Sequence, residues 1–183
     1  GGNFHGHPLA LTLDAAKTAL ASLGTMVERR IALLVDSEER GLPACLTRHP
    51  GLSSGYMIAH YLAAGLVAEN RVLAHPSSVD SLPVSAGIED YNSMGSIAAR
   101  NLRQVIINTE TIVAIEALCA AQACDLAHRV PEGPLRGIYA RLREQVPTLD
   151  GDTRVIADDV ATAASVLRQG GFIPGEHEEE RIA

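Results

Sequence analysis

The sequence predicts an all-α fold, a bundle of long helices, and three observations carry that prediction. Apolar residues recur at helical spacing through three extended stretches, Gly and Pro cluster in the breaks between them, and no alternating strand pattern runs longer than a few residues. The 183 residues, 46% of them hydrophobic, suffice for a single helical segment 1–183 with a sizeable core, or for part of a larger domain.

Residues 1–7 carry Gly1, Gly2 and Gly6 and are read as irregular, with Pro8 fitting the first turn of a helix. From Leu9 to Val35 the residues Leu9, Leu13, Ala16, Leu20, Leu23, Val27, Ile31 and Leu34 mark one long helix, interrupted by Gly24. Within it Glu28, Arg29 and Arg30 read as a charged band facing solvent or the acids of another helix. Residues 36–55 hold Gly41, Pro43, Pro50, Gly51 and Gly55 and read as a long loop of the kind that function or a partner usually justifies. A second helix, Tyr56 to Leu73, is apolar on most sides, which implies burial within a bundle, and His75-Pro76 ends it. A third helix, from Asn92 or Ser93 to about His128, has a wide apolar stripe and a length near ~50 Å at 1.5 Å per residue, more than a domain of this size covers by itself. Pro131, Gly133 and Pro134 precede a short helix to Val146. The motif Asp150-Gly151-Asp152 is read as the cap of a last helix from Thr153 to Gln169, and residues 175–183 as a mobile acidic tail.

Composition narrows the function classes. A net charge of −7, scattered basic residues and 3% aromatics argue against a nucleic-acid partner. The longest apolar run, Tyr56 to Ala68, is interrupted by His60 and is too short to cross a bilayer, so no membrane partner is expected and the protein reads as cytoplasmic. Cys45, Cys119 and Cys124 have neither disulfide nor metal spacing and read as small core residues of a reducing compartment. His5 and His7 lie two apart, but no second cluster at ligand spacing accompanies them, so no metal is expected. The abrupt start at Gly1 reads as the product of cleavage or as a fragment.

The most informative stretch is residues 83–95, where Glu89 and Asp90 stand between a Gly-containing loop and the start of the longest helical pattern. Acids placed there can be ordinary helix caps, because a helix N-terminus carries unpaired N–H groups and partial positive charge. The alternative is a carboxylate presented to a ligand. Chemistry read from residue types alone stops at a helical, associating, acidic domain.

Four blocks extend that reading. Gly1-Gly2-Asn3-Phe4-His5-Gly6, Ser54-Gly55-Tyr56-Met57-Ile58-Ala59, the run from His75 to Pro83, and Glu89-Asp90-Tyr91-Asn92-Ser93-Met94-Gly95 resemble, in order and spacing, the histidine ammonia-lyases, and more broadly the aromatic amino acid ammonia-lyase and aminomutase superfamily. The resemblance implies the C-terminal part of an elongated, almost wholly helical enzyme that assembles as a homotetramer, with active sites built from several subunits and a small amino acid as substrate. It implies the electrophile 4-methylideneimidazol-5-one (MIO), made from an Ala-Ser-Gly triplet that this sequence lacks. That triplet and the tyrosine base belong to the family's N-terminal part, so that part of the same enzyme is the implied partner and this chain alone should be inactive.

By the same resemblance Phe4 matches a pocket phenylalanine, and Glu89 an acidic position typical of histidine-type lyases, where phenylalanine- and tyrosine-type enzymes more often carry Gln. Met57 agrees with the histidine type, since plant phenylalanine-type enzymes usually have Lys there. Gly87-Ile88 stand where histidine-type lyases usually have Asn-Gln, and Asn92 follows the phenylalanine-type pattern. His60 stands where Gln is common, and reads either as a pocket base or as a histidine packed on an apolar helix. The resemblance favours deamination of L-histidine to urocanate and ammonia, with Glu89 as the catalytic residue and Phe4, Met57 and His60 also contacting substrate. Its rivals are a lyase or 2,3-aminomutase for an aromatic amino acid, and a non-catalytic helical assembly module.

Overall fold

A computed structural model describes residues 4–151 and 154–170. Five α-helices follow one another: α1 (His7–Val35), α2 (Met57–Leu73), α3 (Gly95–Leu126), α4 (Pro134–Gln145) and α5 (Ile156–Arg168). Among the described residues there is no strand, only the isolated bridges of Pro50 with Ser53 and Val84 with Glu89. The all-α prediction therefore holds. The expected mobile tail, 175–183, lies outside the described residues, as do Asp152 and Thr153.

Element ends follow from local backbone chemistry. Helix α1 runs unbroken through Gly24. Helix α3 starts at Gly95 rather than Asn92 or Ser93 because Met94 is left-handed, with φ 51°. The Ser93 hydroxyl accepts the Gly95 N–H at 3.2 Å, which meets one of the donors a helix start leaves open. Pro134 opens α4 at a position where its missing N–H does no harm. The expected Asp150-Gly151-Asp152 cap is not found: α5 begins at Ile156 after Val155, with no side-chain cap. The stretch 36–55 is less irregular than its Gly and Pro content predicts, holding short 3-10 turns at Glu38–Arg40 and Ala44–Leu46.

Burial corrects two further expectations. The inner stripe of α1 is Ala10, Asp14, Lys17, Ala21, Gly24, Glu28, Ile31 and Val35, whereas Leu9 and Leu23 are exposed. That spacing of four and three is regular, but three of its members are charged, which hid it from a count of apolar residues. Helix α2 is not buried on all sides either: Ala59, Ala63 and Val67 face inward while Ile58, Tyr61, Leu62 and Val72 are exposed. Helix α3 is long and apolar enough, by length and composition, to cross a bilayer, and half of its most apolar window is buried inside the chain.

The chain divides into two compact units, one of residues 1–26 and 65–109, the other of 27–64 and 110–183. In the first, a buried ion pair joins Asp14 and Lys17 at 2.7 Å. Lys17 also donates to the His75 carbonyl at 2.9 Å, and the Ser78 N–H donates to Asp14 at 2.8 Å. Burial pushes the Asp14 carboxyl up, but the hydrogen bonds from Lys17, Ser78 and Ser77 outweigh it and bring the group down to about 2. A second buried network ties α2 to α3: Asn108 donates to Asn70 at 2.9 Å and to Glu69 at 3.0 Å, and Asn70 donates to Thr109 at 3.3 Å.

The second unit has the larger apolar core, with Ile31, Leu46, Ile112, Ile115, Leu118 and Leu142 almost wholly buried. Each such side chain contributes about 1.5–3 kcal/mol relative to exposure. One polar group organises this core. The Gln122 amide donates to the carbonyls of Leu149 (2.9 Å) and Leu46 (3.2 Å) and accepts the Leu149 N–H at 3.0 Å. Asp159, on α5, is paired with Arg154 at 2.8 and 3.0 Å rather than left as a free first-turn acid. Ahead of α2, Gly55 has φ +50°, and a Cβ there would lie 2.2 Å from the Cys45 carbonyl oxygen.

Two outcomes follow. Gly55→Ala is expected to lower unfolding free energy by about 2–4 kcal/mol, because both the backbone angle and the contact oppose a side chain; chemical denaturation of the purified protein measures it. The Asp14 group has a folded value below the ~3.9 of an unfolded aspartate. Its contribution, of order 2 kcal/mol, is complete above about pH 4 and disappears as pH falls through about 2. Stability measured from pH 5 to pH 2 should therefore fall less steeply in Asp14→Asn than in the unaltered protein.

Candidate active site

The loop between α2 and α3 builds the environment of Glu89. Val84 and Glu89 exchange both backbone hydrogen bonds, Val84 N–H to Glu89 O at 2.9 Å and Glu89 N–H to Val84 O at 3.3 Å. Closing so tight a hairpin puts Ser85, Ala86 and Gly87 in the left-handed region, with φ of 56°, 55° and 84°. Glycine tolerates that conformation, whereas Ser and Ala pay about 1–2 kcal/mol each for it. Such outliers gather at active sites and ligand clamps. On the far side of Glu89, Asn92 fixes the loop: its N–H donates to the Ser81 hydroxyl at 3.0 Å and its side-chain amide to the Leu82 carbonyl at 2.7 Å.

Glu89 is consequently no helix cap. It lies in the hairpin, six residues ahead of Gly95, and its side chain is 41% exposed. His5 stands beside it, with Nε2 3.8 Å from the carboxylate. The Phe4 ring, 84% exposed, packs edge-on to His5 at 5.1 Å. One rung further, the His7 ring lies edge-on to Tyr91 at 5.0 Å, with Nε2 3.3 Å from the Tyr91 hydroxyl. His5 and His7 thus face Glu89 and Tyr91 separately. Among the described residues no three His, Cys, Asp or Glu side chains gather as a metal site would require.

Met57 and His60 stand in the second unit, on the first turn of α2, three residues apart and so on neighbouring positions of one helix face. His60 is not simply packed against apolar neighbours. Its Nε2 lies 2.8 Å from the carboxylate of Glu28, which is 5% exposed. Arg29 grips the same carboxylate with two guanidinium nitrogens. The Arg29 hydrogen bonds, and secondarily that of His60, hold the Glu28 carboxyl below its usual range against the opposing effect of burial.

The charged band expected at residues 28–30 therefore splits. Glu28 turns inward to His60, whereas Arg30 pairs with Glu116, an acid of another helix as anticipated. Residue types alone missed Glu28. The signal was available in its place four residues after Gly24 and three before Ile31, on the inner stripe of α1.

These elements define a helical protein that presents a carboxylate and an aromatic ring from strained and irregular segments flanking long helices. The profile of the aromatic amino acid lyase family matches residues 1–144, and the chain belongs to that family. A histidine ammonia-lyase of Symbiobacterium thermophilum is 52% identical over 174 residues, covering 94% of this chain and 34% of that protein. The crystal structure of histidine ammonia-lyase from Trypanosoma cruzi superposes with a TM-score of 0.89 at 42% identity, covering 94% of this chain and 34% of that one. Tyrosine aminomutase from Streptomyces globisporus superposes equally well, at 0.89 and 42%, with 94% and 33% covered. The chain spans about a third of the length of the relatives it matches.

Removing the buried carboxylate should be costly. Glu28→Ala is expected to lower unfolding free energy by about 1–3 kcal/mol, because His60 loses its partner in a part-buried place; a melting temperature unchanged from the parent would contradict the pairing.

Proposed function

We propose that this chain is the C-terminal part of an ammonia-lyase that converts L-histidine to urocanate and ammonia. The observation that carries the reading is the Glu89 carboxylate: the hairpin holds it half open to solvent, next to the His5–Phe4 pair, at a position that resembles the acid of histidine-type lyases. An ionised carboxylate so placed can accept a hydrogen bond from an imidazole N–H or from an ammonium group. Such charge-assisted bonds are roughly twice as strong as neutral ones. Phe4 offers an apolar wall, and by the family resemblance alone Met57 and His60 match further pocket positions.

The family resemblance also implies the MIO electrophile. No Ala-Ser-Gly triplet occurs in these residues, so its source lies in the N-terminal part of the enzyme, together with the base. The accessible Phe4 ring and Glu89 carboxylate fit a group presented from another segment. When bound, that group supplies the electrophilic activation of the departing amine. The work of this chain is to bind the substrate's cationic or N–H groups at Glu89 and to keep its ring in place beside Phe4. A homotetramer in the cytoplasm completes the proposal, supported by the exposed apolar side chains Ile58, Tyr61 and Leu62 on α2.

A second reading, a lyase or 2,3-aminomutase for an aromatic amino acid, is favoured by the equal likeness to tyrosine aminomutase and by Gly87-Ile88 before the acid. The full-length protein carrying this chain should be incubated with L-histidine, L-tyrosine and L-phenylalanine and the products separated. Urocanate from L-histidine, with kcat/KM reduced about tenfold or more in Glu89→Gln, is the expected result, corresponding to the loss of one charged hydrogen bond. A β-amino acid from tyrosine would establish the second reading, and no turnover of any of the three would leave an assembly module.

A further inference from the structure

We propose that His5 is a positioning residue for Glu89, setting where the carboxylate stands in the substrate pocket. This rests on the reading of Glu89 as the substrate-binding acid. His5 touches both family-matched residues of its unit: its ring lies edge-on to Phe4 with centroids 5.1 Å apart, and its Nε2 is 3.8 Å from Glu89 Oε2. At 3.8 Å the imidazole stands against the carboxylate but short of a hydrogen bond. The contact therefore steers the carboxylate without occupying its acceptor sites.

The surroundings support a steering role over simple packing. Both side chains are partly open, 27% for His5 and 41% for Glu89, so neither is fixed by a close-packed core. The backbone of Glu89 is already held by its bonds to Val84, leaving the side-chain angles as the freedom that His5 restricts. The place of His5 itself is set from below, because His7, two residues on, is packed against Tyr91 as Glu89 is two residues before it. The two histidines thus meet 89 and 91 in register, and the first rung aims the carboxylate.

A double-mutant cycle on the full-length protein tests this. His5→Ala is expected to raise the KM of the preferred amino acid about three- to tenfold while kcat stays within about twofold, the range of coupling between neighbouring groups. His5→Gln, which keeps a planar polar side chain beside the carboxylate, should recover most of the loss. In a Glu89→Gln background His5→Ala should change KM by less than about twofold, because the group it aims is gone. Equal effects of His5→Ala in both backgrounds overturn the proposal while leaving the Glu89 reading intact. A Glu89→Gln variant with unaltered kinetics overturns that reading and this proposal together. Should His5→Ala fail to fold, the same cycle run with His5→Ser decides, additivity again being the contrary result.

Discussion

The buried Asp14–Lys17 pair is the constraint on which the placement of the candidate site depends. Two charges in the inner stripe of a helix are expensive to desolvate, and they persist only because backbone groups of the following loop complete their hydrogen bonding. Lys17 takes the His75 carbonyl and Asp14 the Ser78 N–H, so the end of α2 is pinned against α1 just where the loop toward Glu89 begins. The block from His75 to Pro83 therefore has a mechanical explanation. Its serines meet buried charge, its last residues receive Asn92, and the hairpin between those anchors carries Glu89.

The second unit uses the same device with neutral groups. Gln122 on α3 is bonded to backbone at Leu46 and Leu149, and Gly55 lets the chain pass close to Cys45 before α2 starts. Met57 and His60 follow directly, so their positions descend from a turn that a larger residue at 55 would spoil. The Glu28–His60 contact then links α1 to the first turn of α2. In both units polar side chains from the inner faces of long helices hold the irregular segments, and the candidate pocket residues lie on or beside those segments.

The helices were legible in the sequence because their apolar periodicity is long, and the three longest ends fall close to the Gly and Pro punctuation. The inner face of α1 was not legible, since Asp14, Lys17 and Glu28 occupy it and exposed leucines lie beside it. Charged residues on a buried stripe are readable only once their partners are known, and apart from the local Asp14–Lys17 and Glu28–Arg29 contacts those partners are 32 to 64 residues away. Glu89 stood out by its place and by resemblance to a family, whereas the hairpin that lifts it away from α3 depends on left-handed Ser85 and Ala86, which composition does not announce. The cap expected at 150–152 misled because Asp and Gly favour turns generally, and here Arg154 and Asp159 pair instead.

Family membership and the geometry of Glu89 support the proposal that this chain lines a lyase pocket whose electrophile another part of the enzyme would supply. Intact mass spectrometry of the full-length protein, followed by fragmentation across the region preceding these residues, tests it most directly. The account predicts an Ala-Ser-Gly triplet lighter by two waters. A triplet of unmodified mass, or no such triplet, would contradict it.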